Sequence, residues 1–150
     1  MAQTIYVLNG PNMNLSGTRQ PEKCGRTTLT DVEKLCRATA ERFGFAIEFR
    51  QSNVEGELVN WIQEAHAKKA VGLVINPSAD TSSVAIRNAL AAMQMPVSEI
   101  HVANIHRHES FGQDSHLSQA TKAVICGFGI DGYVLAITGL AGVLGSKEKN

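Results

Sequence analysis

Glu99 and His101 are the residues in this sequence best suited to proton transfer. They lie two positions apart in "VSEIHVAN" (97–104), a run typical of a β-strand, and side chains two apart in a strand point to the same face of the sheet. A carboxylate beside an imidazole orients the ring and favours its cation, so the pair could act as a general acid or base. The alternative is a surface ion pair without a catalytic role.

Cys24 is the second candidate, in the polar stretch "RQPEKCGRTTL" (19–29). Arg19 and Arg26 are close to it in sequence. Nearby cations stabilise a thiolate and lower the pKa of a thiol, which would make Cys24 a nucleophile or a base. The alternative is a small loop residue that takes no part in chemistry.

Two further patterns point only weakly to a metal or a cofactor. The histidines and acidic residues that follow the 97–104 run match no established metal-ligand spacing; they are His101, His106, His108, Glu109, Asp114 and His116. Gly127, Gly129 and Gly132 have G-x-G-x-x-G spacing, but no acidic residue follows at the distance that a dinucleotide site requires. We therefore predict no metal and no organic cofactor, and we expect these glycines to serve helix–sheet packing.

Strand and helix patterns alternate along the chain. Apolar or alternating runs predict strands at 4–9, 45–51, 71–76, 97–104 and 123–129. Apolar stripes predict helices around 32–43, 58–65, 82–93 and 133–144, with Asn53 and a serine at position 82 or 83 as N-caps of the second and third. Residues 10–27 carry no period, and a loop of that length in a compact domain is usually functional.

Five strands alternating with helices predict a parallel sheet with right-handed crossovers. We predict an α/β, doubly wound, flavodoxin-like sheet with strand order 2-1-3-4-5, as a single domain over residues 1–150. Ligands bind such sheets beyond the carboxyl ends of the strands. Polar segments follow three of the predicted strands at that edge: "NGPNMN" (9–14), "NPSADTSS" (76–83) and "EIHVANIHRHE" (99–109).

The composition narrows the class of partner. The chain has 150 residues, 43% of them hydrophobic, and its 14 basic side chains balance 14 acidic ones. No net charge draws it to nucleic acid or to an anionic membrane, no apolar stretch has membrane-spanning length, and no targeting segment is evident. Three widely spaced cysteines favour free thiols in the cytoplasm, with Cys36 and Cys126 in the core. A small-molecule substrate is the expected partner.

Five segments, in this order and spacing, resemble the type II 3-dehydroquinate dehydratase family over about residues 4–140. They are "LNGPNMNLSGTRQPE" (8–22), "TTLTDVEKL" (27–35), "QSNVEGELVNWIQEA" (51–65), "INPSADTSSVAIRNAL" (75–90) and "EIHVANIH" (99–106). The resemblance implies a flavodoxin-like fold and a homo-oligomer, a dodecamer built from trimers. It also implies elimination of water from 3-dehydroquinate through an enolate, without a metal or an organic cofactor.

The resemblance also implies roles for individual residues. Asn12 matches an asparagine that holds a water against the developing enolate, and Arg19 matches an arginine that lowers the pKa of the base. His101 matches the general acid that protonates the departing hydroxyl, and Glu99 matches its orienting partner. The substrate-binding positions implied in the same way are Asn76 and the backbone of Val102 and Ala103.

Several positions depart from the family pattern. The family's proton-abstracting tyrosine falls at Cys24, and the segment "SADTSSV" (78–84) is one residue shorter and lacks a substrate-binding histidine. Asp80, Ser82 and Ser83 stand there instead, and Asp80 and Ser82 are candidate substrate contacts. Asn88 is a further candidate substrate contact. It replaces an aspartate that, in the family, reaches a neighbouring subunit.

These departures leave three functions open. The first is a type II dehydroquinate dehydratase. The second is a repurposed enzyme acting on a different small cyclic substrate, with Cys24 as base or nucleophile, Arg19 as its activator, His101 as acid or base and Asn12 as the oxyanion holder. The third is a non-catalytic paralogue that binds a metabolite. An arginine replaced by glycine at position 112 and the acidic Asp80 favour a ligand less anionic than dehydroquinate, or one with an amine.

Overall fold

Five strands and four α-helices alternate in the computed structural model, which describes residues 2–17, 27–107 and 115–145. The strands are β1 (Thr4–Asn9), β2 (Ala46–Gln51), β3 (Gly72–Asn76), β4 (Val97–His101) and β5 (Ala123–Cys126). The helices are α1 (Leu29–Arg42), α2 (Glu55–Ala67), α3 (Val84–Ala91) and α4 (Asp131–Val143). Short 3-10 turns lie at Met13–Leu15, Ile105–Arg107 and Ser118–Ala120. None of the described helices is both long enough and apolar enough to cross a membrane.

The sheet is parallel, and its strand order is β2-β1-β3-β4-β5, which confirms the predicted flavodoxin-like arrangement. The register places Asn9 of β1 between Gln51 of β2 and Asn76 of β3. On the other side of β3, Ile75 lies opposite Glu99 of β4. The polar segments that follow β1, β3 and β4 therefore begin at nearly the same level of one sheet edge.

Helices cover both faces of the sheet. Along β1, Ile5 and Val7 enter the hydrophobic cluster formed with α1 and α4, while Tyr6 and Leu8 enter the cluster formed with α2 and α3. This division follows from the alternation of side chains along a strand. Burial on both faces explains why the central strands are almost continuously apolar.

The predicted cap of α2 at Asn53 is wrong. Val54 occupies the N-cap position, and no side chain caps that end of the helix. Asn53 instead turns its side chain toward the loop after β1, where Oδ1 accepts the backbone N–H of Asn12. An asparagine before an apolar stripe is typical of an N-cap, but here the side chain makes a tertiary hydrogen bond instead.

Two strands and one helix are shorter than predicted by more than one residue. β4 ends at His101 rather than at residue 104, and α3 spans Val84–Ala91 rather than 82–93, with Ser83 as its N-cap. β5 ends at Cys126 because Gly127 and Gly129 have φ values of 93° and 62°, in the left-handed region that a strand cannot use.

The glycines of the G-x-G-x-x-G pattern therefore have two uses, where only helix–sheet packing was expected. Gly127 and Gly129 form the turn between β5 and α4, and a Cβ at Gly127 would lie 3.3 Å from Cβ of Asn104. Gly132 is buried against β4 and β5, but a Cβ there would meet its neighbours at ordinary contact distance. The turn, more than the packing, requires glycine.

Candidate active site

The carboxyl edge of the sheet brings an acid and an imidazole into direct contact. Glu99 and His101 project from the same face of β4, and Oε2 of Glu99 contacts Nε2 of His101. Glu99 is completely buried and His101 is 5% exposed. The pair is therefore an internal one, and the alternative of a surface ion pair does not apply.

Glu99 is held as a carboxylate by hydrogen bonds. Burial raises its pKa, but hydrogen bonds with His101, Ser115 and Ser118 outweigh that effect, so the pKa of Glu99 lies below its usual value. Ser118 Oγ donates to Glu99 Oε1 at 2.9 Å. Each carboxylate oxygen thus has a donor of its own.

This arrangement decides which nitrogen of His101 can meet a ligand. Nε2 is engaged by Glu99, so a ligand can be met only through Nδ1. In the cationic ring Nδ1–H is a proton donor, and the anionic Glu99 stabilises that cation. An imidazole whose orientation is fixed by a carboxylate on its other nitrogen can serve as a general acid.

A buried network joins the ends of β1 and β3 to α4. The hydroxyl of Tyr133 donates to Asn9 Oδ1 at 2.6 Å and accepts from Asn76 Nδ2 at 2.9 Å. Asn76 Oδ1 accepts the backbone N–H of Ser78 at 3.1 Å, which fixes the start of the loop after β3. The network sets the relative height of the two strand ends.

The loops after β1 and β3 approach each other closely at Gly10. Its N–H donates to Asn76 O at 2.8 Å, and a Cβ at this position would lie 2.2 Å from the carbonyl oxygen of Pro77. Any side chain at Gly10 would therefore push the two loops apart. These are the loops that carry Asn12 and Asp80.

Asn12 sits in a left-handed conformation, with φ 72° and ψ −3°, which asparagine tolerates better than most residues. Its N–H donates to Asn53 Oδ1 at 2.9 Å, and Gln51 Nε2 donates to the same oxygen at 3.1 Å. Gln51 Nε2 also lies 3.2 Å from Gly10 O. These contacts hold the loop after β1 against the end of β2 through backbone atoms of Gly10 and Asn12. They do not involve the Asn12 side chain.

The segment 78–84 presents a carboxyl oxygen without a partner. Oδ2 of Asp80 is buried and accepts no hydrogen bond within the described part of the chain. Burial, together with the nearby Glu55, raises the pKa of Asp80. Ser83 is occupied elsewhere, because its Oγ accepts from Ile86 N and donates to Glu55 Oε2 at 2.6 Å.

The comparisons with known proteins agree with one another. The family model described as "Dehydroquinase class II" matches residues 3–141. The chain belongs to the class II dehydroquinase family. A 3-dehydroquinate dehydratase of Rhodopseudomonas palustris (strain BisA53) is 55% identical over 150 residues, which is 99% of each chain. 3-Dehydroquinate dehydratase 1 of Bradyrhizobium diazoefficiens is 55% identical over 147 residues, covering 97% of this chain and 95% of that protein.

Solved structures of class II dehydroquinases have the same fold. The type II dehydroquinase of Propionibacterium acnes superposes with a TM-score of 0.89 at 35% identity, covering 95% of this chain and 98% of that one. A 3-dehydroquinate dehydratase-like protein of Bifidobacterium longum gives a TM-score of 0.72 at 27% identity, with the same coverage. Membership in the family makes this chain a relative of hydro-lyases, enzymes that eliminate water.

The residues predicted to form the dehydroquinase site fall into three groups. Glu99 and His101 are in contact. Asn12 lies on the loop after β1 and Asn76 ends β3, and the hydrogen bond from Gly10 N–H to Asn76 O joins the two segments. The remaining described ones are exposed or partly exposed on the loop after β3, on α3 and after the end of β4: Asp80, Ser82, Asn88, Val102 and Ala103. Cys24 and Arg19 lie outside the described residues. Within the described ranges, no three His, Cys, Asp or Glu side chains gather as a metal site would require.

Tyr133, Ser118 and Gly10 are residues of this region that the sequence patterns do not predict. Tyr133 fits the apolar stripe of the last helix, and the signal for its role is that a buried tyrosine hydroxyl requires a partner. Nothing in the sequence pointed to Ser118, because it reaches Glu99 through a turn nineteen positions along the chain. Gly10 was visible only as part of a loop.

Proposed function

We propose that this chain is a class II dehydratase that eliminates water from 3-dehydroquinate through an enolate. The observation that carries the proposal is the buried contact between Glu99 and His101 at the carboxyl edge of the sheet. Relatives named 3-dehydroquinate dehydratase, 55% identical over nearly the whole chain, support the choice of substrate.

His101 supplies the acid in the proposed reaction. Once the enolate has formed, its oxygen re-forms the carbonyl, its carbon–carbon electron pair moves to form the new C=C bond, and the carbon–oxygen bond to the departing hydroxyl breaks. That hydroxyl takes the proton from Nδ1 of His101 and leaves as water. Glu99 stabilises the imidazolium before the transfer and keeps the ring oriented afterwards, because its own hydrogen bonds hold it as an anion.

The other half of the reaction removes a carbon-bound proton. We assign this step to Cys24, at the position of the family's tyrosine, with Arg19 stabilising the thiolate. A cysteine thiol, with a pKa near about 8.5, ionises closer to neutral pH than a tyrosine near about 10. Asn12 would then hold a water against the enolate oxygen, as an oxyanion-stabilising group.

Substrate binding is assigned to groups at the same edge. Asn76 already donates to Tyr133, and its second amide hydrogen points to the sulfur of Met13 at 3.5 Å, a weak contact that a substrate hydroxyl can replace. The backbone of Val102 and Ala103, after the end of β4, is assigned to the substrate carboxylate. Ser82 and Asn88 are the remaining proposed contacts.

Asp80 favours a second candidate function. A buried carboxyl oxygen that lacks a hydrogen-bond partner is costly unless a ligand supplies a donor or the group is protonated. The alternative is therefore a repurposed enzyme, with the same acid pair and Cys24 as base or nucleophile, whose small cyclic substrate presents an amine or a hydroxyl to Asp80. We keep dehydroquinate first because the relatives' names support it.

We also propose that the chain assembles with copies of itself, as the dodecamer built from trimers that the family resemblance implies. The outer surface of α4 supports this, because no charged residue occurs between 132 and 145 and Leu135 and Val143 are exposed. The neighbouring edge strand adds the exposed Val124. Cys36 and Cys126 are free thiols, which supports a cytoplasmic location.

The test is turnover of 3-dehydroquinate, followed by the absorbance of the enone product. We expect activity in the wild type, a loss of about 100-fold or more in His101→Asn, and a loss in Cys24→Ser. Cys36→Ala is the matched control, since it removes a thiol that is buried in the core, and it should retain activity.

The variant Cys24→Tyr separates the two candidate functions. A wild type that is inactive, with activity appearing in Cys24→Tyr, would mean that the scaffold is a dehydratase whose base was replaced for another substrate. No turnover in the wild type or in Cys24→Tyr would refute the dehydratase proposal and leave the repurposed enzyme.

A further inference from the structure

We propose that Ser118 is a positioning residue that keeps Glu99 ionised as the partner of His101. Its effect on catalysis rests on the proposed function, whereas its effect on Glu99 does not. The Ser118 hydroxyl donates to the carboxylate of Glu99, and we assign its effect to that contact.

The geometry around Glu99 leaves little else to stabilise its charge. Glu99 is fully buried, so water cannot solvate its two oxygens. Oε2 contacts His101, and Oε1 accepts from Ser118 Oγ at 2.9 Å. Ser115 makes a further hydrogen bond to the carboxylate. A buried carboxylate is tolerated only when such donors replace its lost hydration.

Three contacts hold the turn that carries Ser118 in place. Leu117, the residue before it, is fully buried in the core shared with α2 and α3. The hydroxyl of Thr121 donates to Ser118 O at 3.1 Å. The N–H of His116 donates to Thr81 O at 2.8 Å, which ties the same turn to the loop carrying Asp80. The position of the Ser118 hydroxyl next to Glu99 is therefore fixed by the fold of the turn.

The remaining titratable neighbours do not take over this task. The titratable side chains that interact with Glu99 include His101 on β4 and Cys126 on β5. Burial and the nearby Glu99 raise the pKa of the Cys126 thiol, so it stays neutral near pH 7 and adds no charge. Below the pKa of Glu99 the carboxyl is neutral and the His101 cation loses its partner. Removing a donor raises that pKa, so the pH at which Glu99 gains a proton must move upward.

The experiment is an infrared titration of Glu99 in the ligand-free protein, with its carboxyl band identified by its loss in Glu99→Gln. We expect Ser118→Ala to move the midpoint upward by about 1 pH unit or more, the worth of one hydrogen bond to a charged group. Ser118→Thr, which keeps the hydroxyl, should restore the wild-type midpoint.

Ser98→Ala is the matched control. Ser98 is the residue before Glu99 on the same strand, and its buried Oγ makes no hydrogen bond within the described residues. It should leave the midpoint unchanged. If Ser118→Ala does not fold, Ser118→Cys keeps the volume and weakens the donor. A Glu99 midpoint that is the same in wild type and folded Ser118 variants would overturn the inference. A wild type without turnover would refute the proposed function and leave this result standing.

Discussion

The hydroxyl of Tyr133 joins the side chains of Asn9 and Asn76 beneath the candidate site, and Tyr133→Phe removes it. The change deletes one oxygen from a completely buried side chain and leaves the ring in place. It leaves Asn9 Oδ1 without the donor at 2.6 Å and Asn76 Nδ2 without the acceptor at 2.9 Å. The perturbation is thus the loss of two buried hydrogen bonds without a new cavity of any size.

The magnitude follows from these two orphaned groups. A buried polar group left without its partner costs about 1–3 kcal/mol. Asn76 Nδ2 keeps its weak contact with Met13 Sδ, so its share belongs at the lower end of that range. We expect Tyr133→Phe to lower the free energy of unfolding by about 2–4 kcal/mol in total. A small domain has only about 5–15 kcal/mol of stability, so the effect is large.

The assay is urea denaturation at fixed protomer concentration, since assembly makes apparent stability concentration-dependent. Tyr6→Phe is the matched control. Its hydroxyl donates to Glu64 Oε2 at 2.7 Å, but Glu64 keeps Arg50 at 2.7 Å after the change, so we expect a loss of about 0.5–1.5 kcal/mol. Equal losses in the two variants, or a loss below about 1 kcal/mol in Tyr133→Phe, would refute the reasoning.

Two further predictions concern Gly10 and Glu64. Gly10→Ala should sharply lower both the urea midpoint and activity, because the added Cβ would lie 2.2 Å from Pro77 O. Gly56→Ala is the control: no atom lies within 4 Å of the added Cβ, so the change should stabilise the protein by about 0.5–1 kcal/mol. A Gly10→Ala variant more stable than Gly56→Ala would contradict the prediction. The hydrogen bond from Arg50 lowers the pKa of Glu64 from 4.5, so this pair stabilises fully above that pH and its contribution falls as pH drops through the lowered value. The acid limb of a stability–pH curve should therefore lose part of its slope in Glu64→Gln, and an unchanged slope would show that the pair contributes nothing.

The sequence located the acid pair correctly because a strand leaves little freedom. Two residues at i and i+2 in β4 must share a face, so the contact between Glu99 and His101 follows from their spacing. The level at which the site forms follows as well, because strands in one parallel sheet end at a common edge. Asn53 shows where such reasoning fails, since its local pattern predicted a cap and a contact 41 residues away took its side chain.

What the sequence by itself determined is the periodicity: five strands, four helices, their parallel order and the acid pair on one of them. These depend on interactions between residues a few positions apart or on general rules of connection. Only the tertiary structure decided which hydroxyls complete the site. Tyr133 reaches Asn9 across 124 positions and Ser118 reaches Glu99 across 19. Such contacts depend on how distant parts of the chain pack against each other, and no local sequence pattern predicts that packing.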